Sequence, residues 1–311
     1  MILTVTLNPA VDTRYEINEF KLGEVFRSEN GRKTPGGKGL NVAKVLKILG
    51  EDVLTTGYLG GVNGKWIEDE LNRNQIKTSF EKISGETRVC LAILSKNNQT
   101  EILESGPVIS CEEKANFINR FIKLIENVNI ICCSGSLPKG LDKDFYKEIV
   151  KICKERDKKI ILDTSGESLL LSIESKPFLI KPNKDELESI LNMKLKDENS
   201  IVGGGKKLQA MGAENVMISL GKDGCLFIGE KDIYKVRIPK GIVALNPIGS
   251  GDSSVAGFAY ALEREKSIVD CLKYSMACGI SNAMNLETGF VSEKEIKEIL
   301  EKINIEQLEN V

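Results

Sequence analysis

The feature that most restricts the fold of this chain is a regular alternation of strand and helix patterns that begins near residue 111. Short apolar runs typical of buried strands occupy 128–133, 159–163 and 215–220, and amphipathic segments that predict helices lie between them. Strands joined through helices run parallel in one sheet, and the helices then cover both of its faces. The alternation therefore predicts an α/β protein with a doubly wound, mostly parallel central sheet.

The part of the chain before residue 111 is less regular. Strand patterns at 1–7 and 53–59 and helix patterns at 40–49 and 63–72 fit the same core. Two stretches with short β patterns do not fit it, and we expect them to pair as a small second sheet. The predicted organisation is a core and a β-rich unit, with the core at 1–9, 35–76 and 107–311 and the β-rich unit at 10–34 and 77–106.

The remaining patterns predict local features. Residues 227–236 predict a hairpin, and Asn97-Asn98 predicts a turn inside the second β-rich stretch. The run Gly203-Gly204-Gly205 predicts a loop between two helices. The chain is then expected to finish with three helices, at 252–264, 267–285 and 292–303.

Composition excludes several kinds of chemistry. The 311 residues contain no histidine, so Ser-His-Asp and Cys-His nucleophilic sites and histidine-ligated metals are ruled out. A general base must therefore be an Asp, Glu, Lys, Tyr or Cys. The 43 Lys and Arg residues nearly balance 45 Asp and Glu residues, and no long basic run occurs, so we expect no nucleic-acid partner.

Cysteine usage and hydropathy indicate where such a chain works. None of the eight cysteines forms a Cys-x-x-Cys pair, and we expect them to be small buried apolar residues, with Cys132 and Cys133 on opposite faces of one strand. No apolar stretch approaches the ~20 residues that span a membrane, and no secretion signal precedes the first strand pattern. We expect a cytoplasmic protein without a membrane partner.

The first of four motifs expected at strand ends leads into the helix pattern at 40–49 and reads Pro35-Gly36-Gly37-Lys38-Gly39-Leu40-Asn41. Its glycines let backbone N–H groups approach a ligand closely, and the helix N-terminus favours an anion. Lys38 adds a positive charge at the same place. An ordinary turn would explain the glycines but not the lysine. The motif does not match a Walker A loop.

The second motif opens the first of the three final helices and reads Asn246-Pro247-Ile248-Gly249-Ser250-Gly251-Asp252. The backbone N–H groups of 249–252 can form a concave site for negative charge. Asp252 has two interpretations. It caps the helix, or it accepts the proton of a substrate hydroxyl while the N–H groups stabilise a phosphoryl group in transfer.

The third and fourth motifs are weaker. In Lys181-Pro182-Asn183-Lys184-Asp185-Glu186, the residues Asn183 and Glu186 either form a capping box or orient Mg²⁺ beside a nucleotide phosphate. The fourth motif reads Ser219-Leu220-Gly221-Lys222-Asp223-Gly224. Its two glycines suit close approach to a nucleotide, and they suit an ordinary hairpin turn equally well.

Taken in order, the four motifs resemble those of the ribokinase/PfkB carbohydrate kinase family, and the resemblance extends over essentially the whole chain. Three further segments, 85–90, 99–104 and 134–140, are similar to the branch that acts on ketohexose phosphates, which includes tagatose-6-phosphate kinases and 1-phosphofructokinases. The resemblance implies a ribokinase-like αβα sandwich whose β-rich unit is a lid over the sugar. It also implies ATP and Mg²⁺ as cofactors.

The resemblance also implies roles for individual residues. Asp252 would be the catalytic base, and Gly249, Ser250 and Gly251 would form the anion hole. Asp12 would bind sugar hydroxyls, with Gly36, Cys90 and Ser136 also on the substrate side. The nucleotide and its metal would be bound by Lys181, Asn183, Glu186 (through water to Mg²⁺), Ser219, Gly221, Gly224 and Asn282.

A sugar phosphate carries close to two negative charges and needs clustered cations. Our candidates are Lys38, Arg27 and Arg88, assisted by Asn41 and Gly37; the alternative for the two arginines is a solvated surface position. The expected reaction is ATP-dependent phosphorylation of a ketohexose monophosphate to the bisphosphate, with tagatose 6-phosphate first, fructose 1-phosphate second and fructose 6-phosphate third. A non-catalytic sugar-phosphate sensor is the alternative from another class. We also expect a homodimer formed through the lid.

Overall fold

The computed structural model describes residues 1–29, 31–95 and 98–309. Asn97 of the predicted turn lies outside the described residues, and Asn98 begins a strand. The strands, numbered along the chain, are β1 Ile2–Thr6, β2 Ala10–Glu16, β3 Arg32–Gly36, β4 Val53–Gly60, β5 Lys77–Thr78, β6 Glu81–Ile83, β7 Arg88–Ser95, β8 Asn98–Leu103, β9 Ile130–Ser134, β10 Lys159–Asp163, β11 Leu179–Ile180, β12 Val216–Ser219, β13 Cys225–Ile228, β14 Ile233–Arg237 and β15 Asn304–Leu308.

The helices fill the connections between these strands. They are α1 Lys38–Ile48, α2 Gly61–Arg73, α3 Cys111–Ile125, α4 Phe145–Lys154, α5 Gly166–Ile173, α6 Lys184–Leu191, α7 Glu198–Ala210, α8 Ser250–Glu263, α9 Ile268–Met284 and α10 Glu293–Leu300. None of the helices in the described ranges is long and apolar enough to cross a membrane.

The central sheet has the order β15-β14-β13-β12-β11-β10-β9-β1-β4-β5, and β6 also pairs with β4. From β12 to β5 and β6 the pairs are parallel, whereas β12 to β15 pair antiparallel at one edge. The predicted α/β class is confirmed, and the predicted hairpin is β13–β14. The sequence did not predict β15, which adds to this hairpin after the last helix.

Two hydrophobic clusters cover the two faces of the sheet. Helices α1, α2 and α8–α10 supply one cluster, and α3–α7 supply the other. Successive strand residues alternate between the clusters, as predicted for Cys132 and Cys133, because side chains along a strand point to opposite faces. All eight cysteines are free, and seven are buried as expected; Cys111 is exposed at the start of α3, which corrects the prediction for that residue.

A small second sheet has the order β3-β2-β7-β8. Within it, β2 pairs antiparallel with β3 and parallel with β7, so the two predicted β-rich stretches do meet. The strands at 77–78 and 81–83 belong to the central sheet instead, because both pair with β4. The small sheet therefore begins at 88 in its second stretch rather than at the predicted 77.

The glycine run at 203–205 lies inside α7, and the predicted interhelical loop is wrong. A Cβ atom on Gly205 would approach the Ile228 side chain to 2.7 Å, and one on Gly204 would approach Leu187 to 3.2 Å. These glycines let α7 pack closely on α6 and on the sheet. The loop was predicted because glycine has a low helix propensity. Close packing offsets this low propensity in α7.

Candidate active site

A cavity of about 1550 Å³ lies at the carboxyl ends of the parallel strands and extends under the small sheet. Open α/β sheets bind ligands at this edge. The lining includes most of the predicted site residues: Asp12, Gly37, Lys38, Asn41, Arg88, Cys90, Ser136, Lys181, Asn183, Glu186, Ser219, Gly249, Gly251 and Asp252. One edge of the fold therefore brings together residues that are up to 240 positions apart in the sequence.

The N-terminus of α8 lies at the wall of this cavity, where Gly249, Gly251 and Asp252 line it. Gly249 has φ +80°, a left-handed conformation that glycine adopts without strain, and it is the N-cap of α8. The first backbone bond of the helix runs from Ser253 N to Gly249 O at 2.8 Å, so the amides of Gly251 and Asp252 precede it. Ser250 N donates to Pro247 O at 3.2 Å, so Ser250 closes the turn, which differs from its predicted place in the anion hole.

Asp252 is the buried carboxylate at this helix end, with 6 % of its surface exposed. Its Oδ2 accepts a hydrogen bond of 2.8 Å from Asn41 Nδ2, and its side chain makes no capping bond, so the capping interpretation is wrong. Burial raises the pKa of Asp252 to about 6, and Asp163 adds to this effect. The hydrogen bond from Asn41 and the charges of Lys38 and Lys181 partly offset it.

Asp163 is the main residue that sequence reasoning missed. It ends β10, is 2 % exposed, and lies between two ammonium groups, at 3.3 Å from Lys38 Nζ and 3.2 Å from Lys181 Nζ. Burial would raise the pKa of Asp163, but Lys181 and Lys38 hold it below its usual value. In turn, Asp163 raises the pKa of Lys38. The one signal in the sequence was an acidic residue at the end of a buried strand.

The far wall of the cavity comes from the small sheet. Asp12 on β2 is opposite Cys90 on β7, and Gly36 packs against it so closely that a Cβ on Gly36 would lie 2.0 Å from Asp12 Cγ. Glycine is therefore required at position 36. Burial raises the pKa of Asp12 to about 6, although Lys44 and Arg88 oppose the rise.

Arg88 begins β7 and connects this wall to the central sheet. Its Nη2 donates to Asn8 O at 2.9 Å and its Nη1 donates to Glu104 O at 2.8 Å, while its buried Nε lacks a hydrogen-bond partner within the described residues. Asn8 Nδ2 in turn donates to Ser136 Oγ at 3.3 Å. These contacts hold Arg88, Asn8 and Ser136 together at one end of the cavity.

Three predicted residues are placed differently from the expectation. Arg27 is exposed in the segment between β2 and β3 and is not one of the described residues that line the cavity. Gly224 has φ +95° and packs on the backbone of Val236, so its role is in the turn. Asn282 is buried and holds the 248–250 turn, since its Nδ2 donates to Ile248 O at 2.8 Å and to Ser250 Oγ at 3.3 Å.

Asn183 and Glu186 form the capping box of α6, as one of the two interpretations predicted. Glu186 N donates to Asn183 Oδ1 at 2.8 Å and Asn183 N donates to Glu186 Oε2 at 2.9 Å. Glu186 Oε1 is left to accept a further contact from the cavity, whereas Asn183 Oδ1 is committed to the cap. The described part of the chain has no cluster of three acidic or cysteine ligands for a metal.

A second, smaller cavity of about 360 Å³ adjoins this region. Its wall includes Asn183, Ser219 and Gly221 and continues from the main cavity through Asn183 and Ser219. Gly221 has φ +57° and begins the turn after β12. The third and fourth motifs therefore meet at one place.

The sequence matches the family model described as pfkB family carbohydrate kinase over residues 5–294. This chain therefore belongs to the pfkB family of carbohydrate kinases. It is 43 % identical over 308 residues to a curated tagatose-6-phosphate kinase from Staphylococcus epidermidis, covering 98 % of this chain and 99 % of the relative.

Solved structures agree with this assignment. A candidate phosphofructokinase from Staphylococcus aureus superimposes with a TM-score of 0.85 at 32 % identity, covering 99 % of both chains. A candidate 1-phosphofructokinase from Thermotoga maritima superimposes with a TM-score of 0.90 at 26 % identity, also covering 99 % of both chains. The expected αβα fold and the kinase class are thus confirmed.

Proposed function

We propose that this kinase transfers the γ-phosphoryl group of ATP to the free primary hydroxyl of a ketohexose monophosphate, with tagatose 6-phosphate as the preferred acceptor. The observation that carries the proposal is the buried Asp252 carboxylate beside the N-terminal amides of α8. A base and an anion site at one point are what phosphoryl transfer to an alcohol requires. The 43 % identical tagatose-6-phosphate kinase supports the choice of acceptor.

In the proposed reaction, Asp252 accepts the proton of the acceptor hydroxyl as its oxygen forms a bond to the γ-phosphorus. The bond from that phosphorus to the bridging oxygen of ADP breaks. The amides of Gly251 and Asp252 and the dipole of α8 stabilise charge on the transferring group. Lys38 and Lys181, held by Asp163, place two further positive charges at the same end of the cavity.

We propose that Arg88 binds the phosphate that the sugar already carries. Its partnerless Nε and the buried Asn8 Oδ1, which also lacks a partner in the described chain, are polar atoms that an acceptor would satisfy. The negative charges of Asp163, Asp252 and Glu186 raise the pKa of Lys38, so we assign Lys38 to the transferred group. Arg27 stays a prediction, and its exposed position does not support it.

The Arg88 assignment predicts a selective kinetic effect. Arg88→Met should raise KM for the sugar phosphate by roughly 10- to 100-fold, because a charge-assisted hydrogen bond contributes about 1.5–3 kcal/mol. KM for ATP should change less than about threefold. Initial rates with each substrate varied measure both values, and an equal rise in the two KM values would contradict the assignment.

ATP and Mg²⁺ are the proposed cofactors. The nucleotide would lie between the third and fourth motifs, where the smaller cavity adjoins the main one. Mg²⁺ is commonly held by one or two carboxylates together with substrate phosphates, and Glu186 Oε1 fits such a contact through water. When bound, Mg²⁺ would neutralise charge on the phosphate oxygens. Asn282 supports the 248–250 turn and is not proposed to contact adenine.

The two raised carboxyl pKa values predict the acid limb of the pH profile. Asp12 and Asp252 each have a pKa of about 6 and act as carboxylates, so protonation below that pH removes sugar binding and the base. The value of kcat/KM should be level above pH ~7 and should fall below pH 6 with a slope steeper than tenfold per unit. Asp12→Asn should reduce the slope. Rates are compared at equal concentrations of acceptor dianion, and a level profile down to pH 5 would contradict the prediction.

A coupled assay of ADP release tests the proposed function. Tagatose 6-phosphate should give the highest kcat/KM, followed by fructose 1-phosphate and fructose 6-phosphate, and ribose should give little turnover. Highest activity with fructose 1-phosphate would favour the alternative that the Thermotoga maritima structure suggests. Tight binding of one acceptor without turnover of any would favour the sugar-phosphate sensor.

The proposed homodimer rests on the small sheet. Its edge strand β8 is exposed along its whole length, and Ile102 and Leu103 are among the exposed apolar side chains. An exposed strand edge with apolar side chains can pair with a second copy. This assembly, the role of the small sheet as a lid and the cytoplasmic location stay predictions.

A further inference from the structure

Helix α1 presents three polar side chains at three-residue spacing along one face. Lys38 contacts Asp163 and Asn41 contacts Asp252, so the first two belong to the site already described. The third, Lys44, belongs to none of the four motifs. Residues three apart on a helix are neighbours on its surface, which places Lys44 next to Asn41 and its partner Asp252.

Lys44 bridges two walls of the cavity. Its Nζ donates to Pro35 O and to Thr288 O, each at 3.3 Å. Pro35 lies in β3, directly before the Gly36 that packs on Asp12. Lys44 therefore joins the sugar-side sheet to the segment around residue 288.

That segment, 286–289, packs on the anion site. A Cβ on Gly249 would lie 2.7 Å from Thr288 Cγ2 and 3.2 Å from Gly289 N, so the two backbones are in close contact. Asn282 Oδ1 accepts a 2.9 Å hydrogen bond from Gly289 N, while its Nδ2 donates to Ile248 O in the 248–250 turn. A displacement of 286–289 would therefore reach Gly249.

The same segment has a second tie to the small sheet. Arg14 on β2 donates from Nη1 to Leu286 O at 3.0 Å, and Asn246 Nδ2 donates to the same oxygen at 3.0 Å. Two cations, Arg14 on β2 and Lys44 on α1, thus donate hydrogen bonds to carbonyls of 286–289. Burial lowers the pKa of Lys44, and the negative charges of Asp12, Glu287 and Asp252 oppose this effect.

We propose that Lys44 is a positioning residue for phosphoryl transfer, which holds the sugar-binding edge at Asp12 and Gly36 in register with the anion site at 249–252 through the carbonyls of Pro35 and Thr288. The proposal rests on the proposed function. In-line transfer depends on the separation of acceptor and phosphoryl group, and a misplacement of about 1 Å can lower a rate by ~100-fold. The ammonium donates hydrogen bonds to both carbonyls and so fixes that separation.

Two variants and a control test the proposal. Lys44→Met and Lys44→Ala should lower kcat by roughly 10- to 100-fold and change the KM of either substrate less than about threefold. Lys47→Met, three residues further along α1, should stay within twofold of the parent protein. Propylammonium should restore part of the kcat of Lys44→Ala, and tetramethylammonium, which has no N–H group, should not. An unchanged kcat in both folded variants would overturn the proposal.

Hydrogen–deuterium exchange tests, without any turnover, whether Lys44 links segment 286–289 to the anion site at 249–252. In Lys44→Met the amides of 286–289 and 249–252 should exchange faster than in the parent protein and in Lys47→Met. If the parent protein phosphorylates no acceptor, the proposed function fails, and the exchange result still decides the link. Unchanged exchange in both segments would overturn it.

Discussion

Asp252→Asn should lower kcat on the order of 10²–10⁴-fold, with a much smaller effect on either KM. The amide keeps the shape of the side chain and can still accept the hydrogen bond from Asn41. It cannot take a proton from the acceptor hydroxyl. Near-normal turnover in this variant would remove the proposed role of Asp252.

Thermal unfolding separates this loss from a loss of the fold. The pKa of Asp252 rises from an ordinary value of 3.8 to about 6 on folding, so the folded state binds the proton more tightly. Stability from this group is therefore present at acid pH and is lost as pH rises through about 6. At pH 7 this rise in the pKa of Asp252 lowers the free energy of unfolding by at most about 3 kcal/mol. The Asn variant should unfold at the same or a higher temperature at neutral pH, and a lower Tm would contradict this assignment.

Asp163→Asn should give the largest loss of stability. Asp163 is buried between Lys38 and Lys181, and Lys181 itself is 6 % exposed. Removing one partner of a buried ionic group leaves charge uncompensated and costs about 3–5 kcal/mol. Chemical denaturation at pH 7 measures the change, and kcat should fall with it because both lysines lose their anchor.

The control for this prediction is Asp144→Asn at the exposed start of α4, which should change stability by less than about 0.5 kcal/mol. Adding Lys181→Met to Asp163→Asn should recover part of the lost stability, since it removes one of the unpaired charges. Because the folded pKa of Asp163 lies below its usual value, the contribution is present at neutral pH and is lost on acidification. Equal stabilities of the parent protein and Asp163→Asn would show that the ion pairs of Asp163 with Lys38 and Lys181 do not stabilise the fold.

The part of the site that could be predicted from the sequence consists of residues in short glycine-rich motifs. Gly249 and Asp252 lie three positions apart in one segment, so local geometry determines how they are placed. A helix N-terminus has the same electrostatic character in any fold. The alternation of strands and helices predicted the sheet for a similar reason. Local pattern and long-range structure agree at these places.

Residues whose role depends on distant neighbours could not be predicted. Asp163 ends a strand without any motif, and only the fold brings Lys38 and Lys181 to it. Lys44 resembles any lysine on an amphipathic helix until the carbonyls of Pro35 and Thr288 are placed beside it. The same limit explains the error at 203–205, where helix packing overrides glycine's low helix propensity. It also explains why Arg27 lies outside the cavity lining, since its segment carries no regular pattern.

The most direct test of the account is to follow the products of tagatose 6-phosphate and ATP by ³¹P NMR. We expect one new phosphomonoester signal on the sugar for each ADP formed, with the original phosphate retained, and no such signal with Asp252→Asn over the same time. ADP formed without a bisphosphate, or a bisphosphate formed equally fast by the Asn variant, would contradict the claim that Asp252 activates the hydroxyl of a sugar that is already phosphorylated.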